Sequence, residues 1–335
     1  MLDLNEKEIM KTWDLDKYAE PLVTIQCATF NHENYIETAL DSFLKQKTTF
    51  PFVIFVHDDC STDTTADIIK KYKKKYPKII NSVIEKENLW SKKDDSFTEV
   101  IKANIHTKYV ALCEGDDFWI DDNKLNKQVR FLENNPDFSI SITNGKTYDV
   151  ITKKYEEIFL GDEKKFASSN HVIDLSNCSV PMFPPTASYV YRYDHRNEID
   201  KVPKCFNGDM RKRLFYMTRG KCYYFKDEMV VYRINVNGSA MTRAKKKCRK
   251  AKFNQELQTC RMIDYIDKLS QYKYTDELWK IKVNRLNSAL SNAHSLKVIF
   301  DPYFKRVWRE SSYFRKVILI IKIVMPEFLY MRICK

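Results

Sequence analysis

Glycine is scarce in this chain, six residues in 335. No glycines cluster into a phosphate-cradling loop, which counts against a nucleotidyltransferase. The nine cysteines, at 27, 60, 113, 178, 205, 222, 248, 260 and 334, contain no C-x-x-C pair. An odd, scattered set is neither a disulfide framework nor a zinc pattern, so reduced thiols in a cytoplasmic compartment are expected. The six histidines show no H-E-x-x-H spacing. No apolar run approaches the roughly 20 residues that span a bilayer: the longest, residues 317–325, carries Lys322 inside it. Residues 1–20 are mixed and acidic, so no signal peptide is expected at the opening.

What is present is ample material for a core, with 44% hydrophobic and 13% aromatic residues. The length suits one large domain, or a catalytic domain with an appendage. The formal net charge of +12 is unevenly spread. Residues 241–335 carry a net +14, and residues 1–240 a net −2. Seven of the ten residues 243–252 are basic. That asymmetry points to a near-neutral body and a basic tail that meets an anionic partner, a membrane surface or a nucleic acid.

Along the chain, residues 22–28 are rich in β-branched side chains and read as a buried strand. Ile36, Ala39, Leu40, Phe43 and Leu44 then recur at helical spacing. The unit repeats: strand 52–57, polar turn 58–63, helix 66–76 stopped by Pro77. A third strand over 79–84 and a helix over 98–106 follow, then a strand that ends in Glu114, Asp116 and Asp117. A helix is expected from Leu125 to before Pro136, strands over 138–142 and 186–191, a helix from Gly208 to Tyr216, and two strands around Lys226-Asp227-Glu228. Residues 145–185, with Pro181, Pro184 and Pro185, read as a variable substrate loop. Strands alternating with helices predict an α/β fold with a mainly parallel sheet and ligands beyond the strands' carboxyl ends. The turns after Ala28, Val56 and Cys113 fall at that edge together. The expected organisation is a lead-in over 1–20, a catalytic domain over 21–244, and a basic helical region over 245–335 ending in an amphipathic tail from residue 303.

Glu114, Asp116 and Asp117 place like charges at the end of an apolar strand, a costly arrangement unless a cation neutralises it. Hard oxygen ligands suit Mg²⁺ or Mn²⁺, commonly held by one or two carboxylates together with substrate phosphates. The stretch thus reads as a metal-diphosphate site. The plain alternative for any one acidic triplet is a solvated turn, so its neighbours decide.

Those neighbours carry a family pattern. Thr29-Phe30-Asn31 after the first strand, the string DDCSTDTT from Asp58, the string CEGDDFW from Cys113, and Gly208-Asp209 before a helix together resemble the family 2 glycosyltransferases of GT-A fold, over about residues 21–240. The resemblance implies a Rossmann-like nucleotide-binding domain with a mixed, mainly parallel sheet flanked by helices. It implies that Thr29 and Asn31 border the nucleotide and that Asp58 or Asp59 accepts from the uracil ring N–H. Glu114 would face the ribose or donor sugar, and Asp116, helped by Asp117, would hold Mn²⁺ or Mg²⁺ on the diphosphate. Asp209 resembles the base that deprotonates the acceptor hydroxyl, and Arg233 a phosphate partner. Position 235 departs from the pattern: many relatives have histidine there, and this chain has Asn235. Plainer roles are a helix cap for Asp63, a dipole-favoured helix start for Asp209, and core walls for Phe118 and Trp119. Lys92 and Lys93 read as a solvated pair, or as a mobile basic loop that meets the diphosphate.

The resemblance implies an inverting transferase that moves a sugar, most simply from a UDP-linked donor, to a glycan or lipid-linked acceptor in bacterial surface polysaccharide, lipopolysaccharide or capsule synthesis. The enzyme would act on the cytoplasmic face of the plasma membrane, with its tail on anionic lipid. The rivals are a nucleotide-binding module without catalysis and a nucleic-acid-binding protein acting through the basic C-terminal region, the latter not required by the acidic site.

Overall fold

The computed structural model describes residues 3–92, 94–159, 162–179, 184–237 and 247–326. They pack as two compact units, each taken over its described residues. The first comprises Met1–Asp174, Pro181–Arg196 and Arg219–Val236; the second comprises Leu175–Val180, Asn197–Thr218 and Asn237–Lys335. The boundary expected near residue 244 lies outside the described residues.

The first unit is an α/β sheet of ten strands among the described residues: β1 Val23–Thr29, β2 Phe52–Asp58, β3 Ile80–Ile84, β4 Tyr109–Leu112, β5 Phe118–Trp119, β6 Phe138–Asp149, β7 Lys154–Glu157, β8 His171–Ile173, β9 Val190–Arg192 and β10 Lys221–Ile234. The path runs β3-β2-β1-β4-β9-β6-β10-β5, with β7 on β6 and β8 on β10. Pairing is parallel across β3, β2, β1 and β4. Beyond β4 it is mixed, β9 being antiparallel to both β4 and β6, and β10 parallel to β6.

Burial on both faces explains the composition of the first four strands. All four residues of β4 are buried, and β1 shows no exposed residue, as parallel strands covered by helices require. The helix Ile36–Leu44 buries Ile36, Ala39, Leu40, Phe43 and Leu44, the stripe its spacing predicts. Helices Thr65–Lys75, Ser96–Asn104 and Lys124–Asn134 follow β2, β3 and β5. Trp119 is anchored in the core: its ring lies 4.8 Å from Phe43, and its Nε1 donates to the carbonyl of Ala187 at 2.9 Å.

Two local expectations change. The strand predicted over 186–191 begins as a 3-10 turn, Thr186–Ser188, with β9 starting only at Val190. Main-chain bonds from Ser188 to Pro185 and from Tyr189 to Thr186 tighten that turn against extension. The two strands expected around 226–228 are one strand, β10, kinked by register shifts on either side of Glu228. A bulge lets charged residues interrupt the alternation without ending the ladder. In the stretch read as a loop, β6 instead continues to Asp149 and turns back through β7; Pro181 lies outside the described residues.

The second unit is helical. Helices Arg249–Leu269 and Thr275–Asn292 join Pro302–Glu310 and Tyr313–Val324 around Cys260, Leu286, Ala289, Leu290, Phe304, Val307 and Leu319. The Arg249 guanidinium donates to the carbonyls of Ala293, Lys322 and Met325. A cation there complements carbonyls at the C-terminal ends of two helices. Within the stretch expected as a tail, Phe304, Val307 and Leu319 are therefore part of a core, and 327–335 lie outside the described residues. Of the basic run, 247–252 are described and 243–246 are not. No helix among the described residues is long and apolar enough to cross a membrane.

Candidate functional site

The parallel order brings four connections to one edge of the first unit, following β1, β2, β3 and β4. Thr29 and Asp58 are register partners at the ends of β1 and β2. Beyond them the two loops are stitched together. Asn31, at φ 56°, donates its main-chain N–H to Ser61 Oγ at 2.8 Å, and its Oδ1 accepts from Thr62 N at 2.7 Å. Asn tolerates this left-handed conformation better than most residues.

Asp58 is fully buried and bonded to the Ser61 hydroxyl and main-chain N–H. Burial raises its carboxyl above the usual range, against the bonds from Ser61. Asp59 turns the other way. Its Oδ1 accepts from Leu89 N at 2.7 Å and its Oδ2 from Trp90 N at 3.1 Å. Asp63 accepts from Thr65 N at 3.0 Å in the turn that precedes the helix Thr65–Lys75, while the cap position expected for it is taken by Thr64.

The acidic turn after β4 closes against the first loop. Gly115 N donates to the carbonyl of Ala28 at 2.9 Å. A Cβ at Gly115 would stand 2.7 Å from Thr29 Oγ1, 2.8 Å from Thr29 Cβ and 3.0 Å from His32 Nδ1. Only glycine permits that approach. Glu114 is exposed, whereas Asp116 and Asp117 are 7% and 1% exposed. Asp117 Oδ1 accepts the main-chain N–H of Arg233 at 2.9 Å, and the Arg233 guanidinium donates to the Asp116 carbonyl at 2.7 Å. That guanidinium also lies 4.5 Å from the Phe118 ring and 5.1 Å from the Tyr35 ring, so Phe118 serves a cation as well as the wall.

Four buried polar atoms here have no hydrogen-bond partner: Thr29 Oγ1, His32 Nδ1, Asp116 Oδ1 and Asp117 Oδ2. His32 Nε2 lies 3.8 Å from Asp116 Oδ2. Burial pushes the Asp117 carboxyl well above the carboxylate range, and the Asp116 charge adds to it. Burial lowers the His32 pKa against the pull of Asp116. Orphaned carboxylate oxygens of this kind are what a cation would satisfy. Among the described residues no three His, Cys, Asp or Glu side chains are grouped to hold a metal by themselves. The donor set therefore fits a hard cation completed by water and phosphate oxygens, and does not form an all-protein cage.

Asn235, at φ 60°, donates its amide to Asp149 Oδ2 at 3.1 Å. His57 is buried with Nε2 3.1 Å from Glu85 Oε1. Lys92 pairs with Glu87, and Lys93 lies outside the described residues. The first unit thus gathers Thr29, Asn31, Asp58, Asp59, Glu114, Asp116, Asp117 and Arg233. Asp209 belongs to the second unit, exposed in the first turn of the helix Gly208–Met217. Two residues not singled out by sequence are Tyr35, under Arg233, and Lys124. The latter is fully buried, its Nζ without a hydrogen-bond partner and 4.2 Å from the Trp119 ring centre. Burial lowers its pKa to about 7. A lysine among polar residues gives no sequence signal of such burial.

The family model described as Glycosyl transferase family 2 matches residues 24–211, more than half of the chain. The chain belongs to glycosyl transferase family 2. Among its relatives, an uncharacterized Mycobacterium tuberculosis protein is 30% identical over 217 residues, 64% of this chain and 60% of that protein. The matched part thus spans less than two thirds of that relative's length. The putative teichuronic acid biosynthesis glycosyltransferase TuaG of Bacillus subtilis is 34% identical over 113 residues, 34% of this chain and 42% of TuaG. The crystal structure of S. aureus TarS 1–349 in complex with UDP-GlcNAc aligns with TM-score 0.56 and 16% identity, covering 81% of each chain. At that identity the likeness is one of fold. The family 2 domain accordingly has the GT-A architecture, and its model begins within β1 and includes the acidic turn after β4.

Proposed function

We propose that this family 2 glycosyltransferase is a metal-dependent, inverting enzyme that moves a sugar from a UDP-linked donor to a hydroxyl of a glycan or lipid-linked acceptor. The observation that carries the proposal is the pair of orphaned, buried carboxylate oxygens on Asp116 and Asp117 beside the Arg233 guanidinium. Asp116, helped by Asp117, would hold Mn²⁺ or Mg²⁺, which when bound supplies Lewis-acid neutralisation of the leaving diphosphate. Arg233 adds a fixed positive charge, Thr29 and Asn31 border the nucleotide, Asp58 or Asp59 accepts from the base, and Glu114 faces the ribose or sugar. Asp209 is assigned the base that takes the proton of the acceptor hydroxyl, so that attack from the opposite face inverts the anomeric carbon.

The acceptor belongs, on this proposal, to bacterial surface polysaccharide, lipopolysaccharide or capsule synthesis, for which the match to TuaG is the support. The protein would lie on the cytoplasmic face of the plasma membrane. Support for membrane contact comes from the helix Tyr313–Val324. It exposes Phe314, Val317, Ile318, Ile321 and Val324 alongside Arg315, with Lys316 and Lys322 half-buried beside them. Apolar side chains beside cations suit an anionic interface.

The experiment is calorimetric titration of UDP, with GDP and CDP as controls, with and without Mn²⁺, on the wild type, Asp116→Asn and Asp209→Asn. UDP binding that needs Mn²⁺, vanishes in Asp116→Asn and persists in Asp209→Asn supports the assignment. No nucleotide binding under any condition refutes it.

A further inference from the structure

Trp90 is the only exposed tryptophan among the described residues, with 60% of its surface open. It lies in the short turn of helix Leu89–Lys92, which follows β3. The main chain that carries it is held in place. Leu89 N and Trp90 N both donate to the Asp59 carboxylate. Asn88 Nδ2 donates to the Asp59 carbonyl at 3.0 Å, and Ser91 N donates to Asn88 Oδ1 at 2.9 Å. On the ring itself, Phe97 packs edge-on at 5.3 Å, and Phe97 in turn meets buried His57 at 4.8 Å. The indole thus rests against Phe97 and keeps most of its surface open.

Its place along the sheet edge gives that arrangement a use. Trp90 N bonds Asp59, which directly follows β2, and the order β2-β1-β4 sets that point two strand spacings from the acidic turn after β4. At the usual separation of neighbouring strands that is about 10 Å, a span suited to a nucleoside diphosphate. Both oxygens of Asp59 already accept main-chain donors, so its carboxylate is engaged in holding the turn that carries Trp90.

We propose that Trp90 is the platform on which the nucleobase of the donor stacks, with Asp59 acting as the residue that positions it. The proposal rests on the assignment of the Asp116–Asp117 turn to the diphosphate end of the donor. A base presents an apolar face to any flat aromatic, so the stack contributes affinity without choosing between bases. That leaves discrimination to acceptors such as Asp58, whose buried carboxylate is adjacent in sequence to the residue that holds the platform.

The test compares wild type, Trp90→Ala and Trp90→Phe by titration with UDP in the presence of Mn²⁺. Imidodiphosphate with Mg²⁺ serves as a ligand that has the phosphates and no base, and tryptophan emission is followed throughout. The proposal expects Trp90→Ala to bind UDP about tenfold more weakly, the loss of one base–aromatic stack. Its affinity for imidodiphosphate should be unchanged. Trp90→Phe should keep most of the UDP affinity, and UDP should quench emission in the wild type but not in Trp90→Phe. Unchanged UDP affinity in Trp90→Ala overturns the platform and leaves the donor site standing. Equal losses for UDP and imidodiphosphate overturn it too, because the residue would then act on the loop as a whole. A wild type that binds neither imidodiphosphate nor any of UDP, GDP and CDP overturns the donor site and the platform together.

Discussion

The main-chain N–H of Arg233 donates to Asp117 Oδ1 at 2.9 Å, across 116 positions of sequence. The same residue's guanidinium donates to the carbonyl of Asp116 at 2.7 Å. One arginine thereby fixes the shape of the acidic turn and offsets part of its charge. It leaves Asp116 Oδ1 and Asp117 Oδ2 without partners. The turn is built to a definite geometry yet remains electrostatically incomplete.

Replacing one of the two acids should therefore separate stability from binding. Asp116→Asn removes the like charge that, after burial, contributes most to raising the Asp117 carboxyl. The metal-free variant should be more stable by on the order of 1 kcal/mol, a rise of roughly 2–4 °C in Tm. Mn²⁺ should raise the wild type's Tm and leave that of the variant unchanged. Differential scanning calorimetry with and without the ion checks both; a metal-free variant less stable than wild type would contradict the account of the turn.

Gly115→Ala tests the close approach of the two loops. The added methyl would meet Thr29 Oγ1 at 2.7 Å and Thr29 Cβ at 2.8 Å. Thr29 closes β1 within the central sheet, so the contact cannot be relieved by swinging a flexible side chain away. A loss of about 1–3 kcal/mol in unfolding free energy is expected. Urea unfolding measures it, and a loss below the error of the extrapolation would show that the loops can part freely.

Lys124 gives a pH dependence of definite sign. Its pKa falls from the ordinary lysine value of 10.5 to about 7 in the folded protein, because burial disfavours the ammonium. Between those values the unfolded chain holds the proton and the folded one does not, so stability rises with pH. The contribution is fully present above the unfolded pKa and is lost as pH falls to about 7. Lys124→Met should abolish this slope and be the more stable protein at neutral pH, by up to about 4 kcal/mol. Unfolding free energies at pH 7 and pH 9 for both proteins decide it: parallel pH dependences would sink the prediction.

The membrane face is best tested without removing the segment that bears it. Phe304, Val307, Leu319 and Ile323 are 1–3% exposed, so deletion from residue 303 would open the second unit's core. Phe314→Ser with Ile321→Ser changes side chains that are 74% and 52% exposed. The double variant should keep its helical circular dichroism and lose most of its sedimentation with vesicles containing phosphatidylserine. Undiminished sedimentation would assign lipid contact to another surface or to charge alone.

Much of the first unit was legible because its signals are local. The helix Ile36–Leu44 writes its buried face at a 3.6-residue period, and β1, β2 and β4 are short apolar runs ended by polar turns. Thr186–Ser188 and β10 depart from the sequence pattern for a related reason. A 3-10 turn can carry the same residues as a strand, and a bulge breaks alternation without ending a ladder. Trp90 and Lys124 show the limit more sharply. Tryptophan was equally compatible with a core, and lysine with a solvated helix face, until their neighbours were known.

By itself, then, the sequence determined the strands and helices of the first unit as far as residue 142, and that acids and glycine follow β4, because periodicity and turn chemistry act over a few residues. It also determined family membership through the order of its motifs. Only the tertiary structure decided that Arg233 would brace Asp116 and Asp117, that Asp59 would hold Trp90, and that Asn235 would bond Asp149. Those pairings join residues 31 to 117 positions apart. They depend on which strands become neighbours, a choice made by burial of the whole sheet and not by any single stretch of chain.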